Sequence, residues 1–262
     1  MELSIIIPVY NSELILPKLV QEIDKVFINK SVKKELIFVN DFSKDNSWQV
    51  VKHLSKSYDF IKGINLKSNY GQHNAIAAGL NYSRGEYIIL MDDDLQHDPI
   101  YIINILEELK KDFDACYVKY LKRKHILWKK CLSYINHITA SYLSNKSSKI
   151  YTSSFKGINK KLCDIINSDQ NNEVFLDWLI VENSRKINTI NILHRERLEG
   201  KTNYDFKKLL ILWSNMIIKI KPKGIFKMYL ISIIKLFINL VIYKFLNKRE
   251  YKEKFLISEK TF

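Results

Sequence analysis

Over its first hundred residues the chain alternates short apolar, β-branched runs with segments whose apolar residues return every three or four positions. This alternation restricts the fold more than any other feature of the sequence. Residues 4–9, 35–40, 61–66 and 86–91 read as strands. Between them, residues 12–27 repeat Leu14, Leu19, Ile23 and Val26 at helical spacing. A second helix runs through Val51 and Leu54 behind a cap at Asp45 or Asn46, and a third covers residues 73–82. Strands alternating with helices predict an α/β fold whose mostly parallel sheet is covered on both faces. At 262 residues the chain has the length of one large domain with appendages. A hydrophobic content of 47%, with only 7 Gly and 4 Pro, excludes collagen-like, low-complexity and wholly disordered chains.

Further along, the pattern predicts a helix over residues 99–111, a strand over 115–120, a basic segment, and a helix over 128–143. A mixed region over 149–197 follows, then a helix over 204–220 and an apolar stretch over 225–246. The clearest punctuation is Lys221-Pro222-Lys223-Gly224, which divides a catalytic domain (1–220, with halves 1–100 and 101–220) from a basic, apolar tail (221–262). Three cysteines, Cys116, Cys131 and Cys163, without a Cys-x-x-Cys pair, exclude a disulfide framework and a cysteine-ligated zinc. The N-terminus shows no leader pattern, so the expected location is cytoplasmic. The formal charge is +14, and residues 201–262 carry 14 Lys and Arg against 4 Asp and Glu. Because this charge flanks apolar residues instead of an aromatic-studded polar groove, it favours an anionic membrane surface over nucleic acid as partner. The 225–246 stretch is long enough to span a bilayer, but Lys235 sits at its centre, so a helix lying in the membrane interface is expected, with the protein peripheral on the inner face.

Open parallel sheets bind ligands in the crevice at the carboxyl ends of their strands. Four expected strand ends here carry polar clusters: Asn11; Asn40 and Asp41; residues 69–74; and Asp92, Asp93 and Asp94. The last is the strongest signal, an apolar run delivered directly into three carboxylates. Adjacent acids at the end of a buried strand repel one another unless a cation compensates them, and helix capping would need only one. With Asp92 and Asp94 pointing the same way along the strand and Gln96 extending the set, a divalent cation, Mg2+ or Mn2+, is expected. Asn69-Tyr70-Gly71-Gln72-His73-Asn74 opens a helix with exposed amides and a glycine, which allows close approach of an anionic or heteroaromatic ligand.

Four blocks then resemble a known family. They are Ser4-Ile5-Ile6-Ile7-Pro8-Val9-Tyr10-Asn11, the stretch from Phe38 through Asn40-Asp41-Phe42-Ser43 to Ser47, Asn-Tyr-Gly-Gln-His-Asn, and Met91-Asp92-Asp93-Asp94-Leu95-Gln96-His97-Asp98-Pro99. Together they are similar to family 2 glycosyltransferases of the GT-A fold, and within them to the dolichol-phosphate-mannose-synthase-like branch with its bacterial polyprenyl-phosphate glycosyltransferases. The resemblance implies a nucleotide-sugar donor, with UDP the default and dTDP or GDP open. Pro8, Tyr10 and Asp41 fall where the family holds base and ribose, with Asn11 and Glu13 nearby and Asn69, Gly71 and Asn74 in the following loop. Asp92, Asp93, Asp94 and Gln96 fall on the diphosphate and metal positions, Asp94 being the catalytic candidate among them. Phe42 departs from the family, which commonly has Gly there, and Asn40 replaces a frequent Asp.

A looser likeness covers Arg197, Gly200, Thr202 and Tyr204, the Arg-x-x-Gly-x-Thr-x-Tyr element that precedes the membrane-side helix in the family. Arg197 offers a forked cation for phosphate. Ser154 and Lys156 sit where relatives carry an acceptor-side stretch, and Lys122 and Arg123 follow the fifth strand. The expected function is inverting, metal-dependent transfer of a sugar onto a membrane lipid, with polyprenyl phosphate the acceptor. An anionic phosphate acceptor needs no general base, whereas a sugar hydroxyl on a lipid-linked or cell-surface glycan does. Asp177 is the candidate base for that alternative. The non-enzymatic alternative is a basic membrane adaptor on a retired GT-A fold.

Overall fold

A computed structural model describes residues 1–120, 152–168, 176–192 and 255–262, with Ser232. The chain divides into two compact units, and everything described below belongs to the one formed by Met1–Arg123, Ile150–Gly200 and Glu253–Phe262. The expected helices over 128–143 and 204–220, the boundary at 221–224 and the 225–246 stretch, apart from Ser232, lie outside the described residues.

β1 (Leu3–Val9), β2 (Lys34–Asn40), β3 (Ile61–Leu66) and β4 (Tyr87–Leu90) alternate with α1 (Leu16–Phe27), α2 (Ser47–Ser57) and α3 (Gln72–Tyr82). α4 (Tyr101–Lys110), β5 (Ala115–Tyr120), β6 (Lys156–Asn159), α5 (Lys160–Ser168), α6 (Leu176–Asn183), β7 (Ile187–Ile192) and β8 (Ile257–Lys260) follow. The strands form one sheet in the order β7-β5-β6-β4-β1-β2-β3-β8. β1 pairs in parallel with β2 and β4, β2 with β3, and β5 with β7, while β6 and β8 run antiparallel to their neighbours. The mostly parallel sheet is thus as expected.

Every residue of β1 is buried, the mark of a strand covered on both faces. Leu3, Ile5, Ile7 and Val9 point into a cluster with the apolar stripes of α1, α2 and α4. Ile6 points the other way, into a cluster with α3, α5 and α6. A β-carbon on Gly79 of α3 would lie 2.4 Å from Ile6 Cγ2, so only glycine lets that helix sit this close to the sheet.

Three strands escape the sequence pattern, among them β7, which lies in the region expected only as mixed. β6 is the short, half-polar Lys-Gly-Ile-Asn, inserted antiparallel between β4 and β5. β8 ends the tail expected to be helical over 221–262, and the reason its last residues are extended is an edge. They cover β3, with Gly63 N donating to Thr261 Oγ1 at 2.8 Å and Trp48 Nε1 to Glu259 Oε2 at 2.6 Å. Edge groups left unpaired invite aggregation, and a polar strand closes them.

Candidate functional site

The loops after β1 and β2 are tied to each other. Asn11 N donates to Ser43 Oγ at 3.0 Å, Lys44 N to Asn11 Oδ1 at 2.8 Å, Glu13 N to Asp45 Oδ2 at 3.2 Å, and Asn46 N to Glu13 Oε2 at 2.8 Å. Asn11 and Glu13, expected beside the nucleotide, therefore each commit the backbone N–H and one side-chain oxygen to loop-to-loop bonds. Of the two caps expected for α2, Asn46 holds the N-cap position without a side-chain cap bond, while Asp45 just before it accepts from Ser47 N at 3.0 Å. Phe42 sits half in solvent at a left-handed φ of 57°, and Asn11 at 55°. Phe42 thus keeps the backbone conformation that a glycine adopts without strain.

Asp41 is buried where β2 ends. Its carboxylate accepts from Tyr70 N at 2.7 Å and Gly71 N at 2.8 Å, while its carbonyl receives Asn69 Nδ2 at 3.1 Å. Asn74 Nδ2 closes the turn on Tyr70 O at 2.9 Å. The loop between β3 and α3 is therefore clamped to β2, with Gly71 (φ 87°) at the start of α3. Pro8 is buried inside β1 and Tyr10 is half-buried beyond it.

The acids differ from expectation in one respect. β4 ends at Leu90, where its pairing with β1 stops at Ile6, so Asp92–Asp94 lie on a bend and not along the strand. Leu95, buried at a left-handed φ of 58°, anchors the bend in the core. Asp92 Oδ1 accepts from Gln72 Nε2 at 2.7 Å, and Asp92 Oδ2 lies 3.2 Å from His97 Nε2. Asp93 accepts from Ser12 Oγ, and Asp94 Oδ1 from Gln96 N at 3.1 Å.

Burial opposes the charge on Asp92. The hydrogen bond and charge of His97, with Ser154 and Lys156, outweigh it and hold the carboxyl below the ordinary range. Asp93 goes the other way: burial, then the charges of Asp92 and Asp94, push it up to about 7 despite the Ser12 bond. One bend thus holds two acids displaced in opposite directions, a pattern that concentrates at functional sites.

Behind the bend, His97 is 5% exposed. Its Nδ1 meets the Tyr120 hydroxyl, its ring packs 5.0 Å from that of Phe155, and Ser154 Oγ lies 3.3 Å from Nε2. Deeper still, Lys156, only 4% exposed, pairs with Asp177, which also accepts from Tyr117 OH at 3.0 Å. The structure thus brings Lys156 and Asp177, expected separately at the acceptor, into one pair of a buried lysine and a half-buried acid. Lys122, Arg123, Arg197, Thr202 and Tyr204 lie outside the described residues. Sequence reasoning missed Ser12, Gln72, His97 and Tyr120. Gln72 and His97 lie inside the quoted blocks, but only the fold shows that both aim at Asp92.

The family model for glycosyl transferase family 2 matches residues 4–166, which includes all four strand ends. The chain belongs to glycosyl transferase family 2. It is 31% identical over 210 residues to the uncharacterized glycosyltransferase YkcC of Bacillus subtilis, an alignment covering 80% of this chain and 65% of that protein. It is 28% identical over 217 residues to the undecaprenyl-phosphate 4-deoxy-4-formamido-L-arabinose transferase of Proteus mirabilis, covering 82% and 67%. The chain therefore spans about two thirds of the length of these relatives. Among solved structures, glucosyl-3-phosphoglycerate synthase from Mycobacterium tuberculosis, in complex with Mn2+, uridine diphosphate and glucosyl-3-phosphoglycerate, superposes with a TM-score of 0.60 at 12% identity, over 85% of this chain and 81% of that one. At that identity the likeness shows the fold, which is the GT-A fold expected of a family 2 chain.

Proposed function

We propose that this family 2 chain is a metal-dependent, inverting glycosyltransferase that moves a sugar from a nucleotide-sugar donor to a membrane polyprenyl phosphate. The observation that carries this reading is the placement of Asp92, Asp93 and Asp94 at the carboxyl end of β4, on the rim that also holds Asp41 and the loop 69–74. The Proteus relative is named for transfer to undecaprenyl phosphate, and the mycobacterial neighbour is described with Mn2+ and uridine diphosphate. Both names support the donor and acceptor classes proposed here. UDP is the first nucleotide to test, with dTDP and GDP next.

The donor set fits a hard cation. Two carboxylates and the Gln96 carboxamide are all-oxygen ligands of the kind Mg2+ and Mn2+ take. Among the described residues no three His, Cys, Asp or Glu side chains are placed to hold a metal ion by themselves. Such an ion would supply charge neutralisation on the departing nucleoside diphosphate. Asp92 and Asp94 would hold it, Gln72 and His97 fix the Asp92 carboxylate, and Asp41 keeps the 69–74 loop in place beside the nucleotide.

The Lys156–Asp177 pair bears on the acceptor. Lys156 Nζ and Tyr117 OH both donate to Asp177 Oδ1, so a general base for a glycan hydroxyl would have to use Oδ2. A phosphate acceptor needs no base, and the polyprenyl-phosphate reading asks nothing of Asp177 beyond this pair. Arg197, Thr202, Tyr204, Lys122, Arg123 and Ser154 remain the proposed acceptor-side groups. The 225–246 stretch is proposed to lie on the inner membrane face, peripheral to an anionic surface; among the described residues no helix is long and apolar enough to cross a membrane.

A donor screen with purified protein and polyprenyl phosphate tests this reading. Nucleoside diphosphate should be released only when the lipid and Mn2+ or Mg2+ are both present. Release that requires a glycan hydroxyl instead would transfer the assignment to the glycan acceptor, and the absence of any nucleotide binding would favour the adaptor.

A further inference from the structure

His97 is assembled as carefully as the acids, yet no direct part in the transfer requires it. Three described segments meet at its ring: the bend after β4 supplies Asp92, the end of β5 supplies Tyr120, and the residues before β6 supply Ser154 and Phe155. The ring is 5% exposed, stacked at 5.8 Å on Tyr120 and tilted at 5.0 Å on Phe155. An imidazole boxed in this way has little rotational freedom, and its Nε2 faces Asp92 Oδ2 at 3.2 Å.

The hydrogen-bond geometry restricts the ring further. A lone pair on Nε2 would oppose the lone pairs of the Asp92 carboxylate, so Nε2 carries the hydrogen and donates, while Nδ1 faces the Tyr120 hydroxyl, which can donate or accept. Gln72 Nε2 holds the other oxygen, Oδ1, at 2.7 Å. Both oxygens of Asp92 are therefore aimed by side chains that reach in from separate elements, which leaves the carboxylate's remaining lone pairs at fixed orientations.

We propose that His97 is a positioning residue: through Nε2, with Tyr120 locking its ring, it fixes the Asp92 carboxylate in the orientation that receives a divalent cation and diphosphate. This rests on the metal reading above. Side chains behind a metal ligand typically alter affinity by about 10- to 100-fold.

The test uses the full chain and reads binding by electron paramagnetic resonance of free Mn2+, with UDP, GDP and dTDP supplied in turn. His97→Gln places a carboxamide N–H near the position of Nε2, whereas His97→Asn places one near Nδ1 and removes the Nε2 donor from Asp92 Oδ2. The expected result is near-normal Mn2+ affinity for His97→Gln and a loss of about 10- to 100-fold for His97→Asn, with Tyr120→Phe falling between. Thermal midpoints of the variants identify any that fail to fold. Equal affinity in both His97 variants, whether near normal or weakened in step with a lowered midpoint, would overturn the positioning role and leave only packing. A wild-type chain that binds no Mn2+ with any of the three nucleotides would instead overturn the metal reading itself, and that failure is visible without a variant.

Discussion

The sheet holds acids at both ends, and the two ends treat them in opposite ways. At the amino end, Glu35 is 1% exposed and fully provided for. Ser4 Oγ and Arg84 N donate to Oε1 at 2.5 and 2.6 Å, and Lys62 Nζ to Oε2 at 2.6 Å, while Gly85 N donates to Ser4 Oγ at 2.8 Å. Burial would raise the Glu35 pKa, but Lys62, Ser4 and Arg84 outweigh it and lower it. At the carboxyl end, three consecutive acids draw on Gln72, His97, Ser12 and the backbone, and the middle one is pushed up to about 7. A buried acid matched by a half-buried cation is a structural feature. A set of crowded acids held by hydroxyl, amide and imidazole groups retains negative charge for a ligand to use.

Substitutions can break that comparison. The largest effect is expected at the carboxyl end on activity: Asp94→Ala should lower turnover by roughly 100- to 1,000-fold, with circular dichroism and the thermal midpoint unchanged. Retained turnover would place the charge requirement elsewhere.

The next largest is at the amino end on stability. Glu35→Ala leaves Lys62 and Ser4 facing each other without their acceptor, and should cost about 3–5 kcal/mol in urea unfolding. Nucleotide binding by the folded fraction should be untouched. Because the Glu35 pKa is depressed, its stabilisation is present above the unfolded value near 4.5 and is lost as pH falls below it.

Asp93 carries the opposite sign. Its folded pKa of about 7 exceeds the unfolded value, so the native state holds a proton the unfolded chain has released, and stability falls as pH rises from about 4 to 7. Asp93→Asn should remove that slope and raise metal-free stability at pH 8 by on the order of 1–3 kcal/mol, with little change at pH 4. A stability profile that keeps its slope in the variant would assign it to another group.

The smallest effect is expected at Phe42. Glycine would relieve a left-handed conformation that costs a larger residue about 1–2 kcal/mol, against about 0.4–1 kcal/mol of added freedom in the unfolded chain. Phe42→Gly should therefore shift the unfolding midpoint only slightly upward.

The same two ends show how much of the molecule can be read from residue order. β1 to β5 and the helices between them were legible because burial on both faces makes strands continuously apolar and helices periodic. The rim was legible because polar residues interrupt those runs where the strands end. β6, β7 and β8 were not, since Lys156–Asn159, Ile187–Ile192 and Ile257–Lys260 are short, partly polar and defined by partners far away in sequence. The roles of Asn11, Glu13, Lys156 and Asp177 were hidden for a related reason: residue type shows what a side chain can bind, but its partner is chosen by tertiary packing. His97 illustrates both limits, because nothing local separates it from His73 until Tyr120, Phe155 and Ser154 close around it.

The claim beneath all of this is that the bend after β4 grips a cation shared with a diphosphate. Crystals grown with Mn2+ and a nucleoside diphosphate would test it through an anomalous difference map. The account predicts a Mn2+ peak bridging Asp92 or Asp94 and the diphosphate oxygens. A bound nucleotide with no metal at those carboxylates, or a diphosphate seated away from this rim, would contradict it.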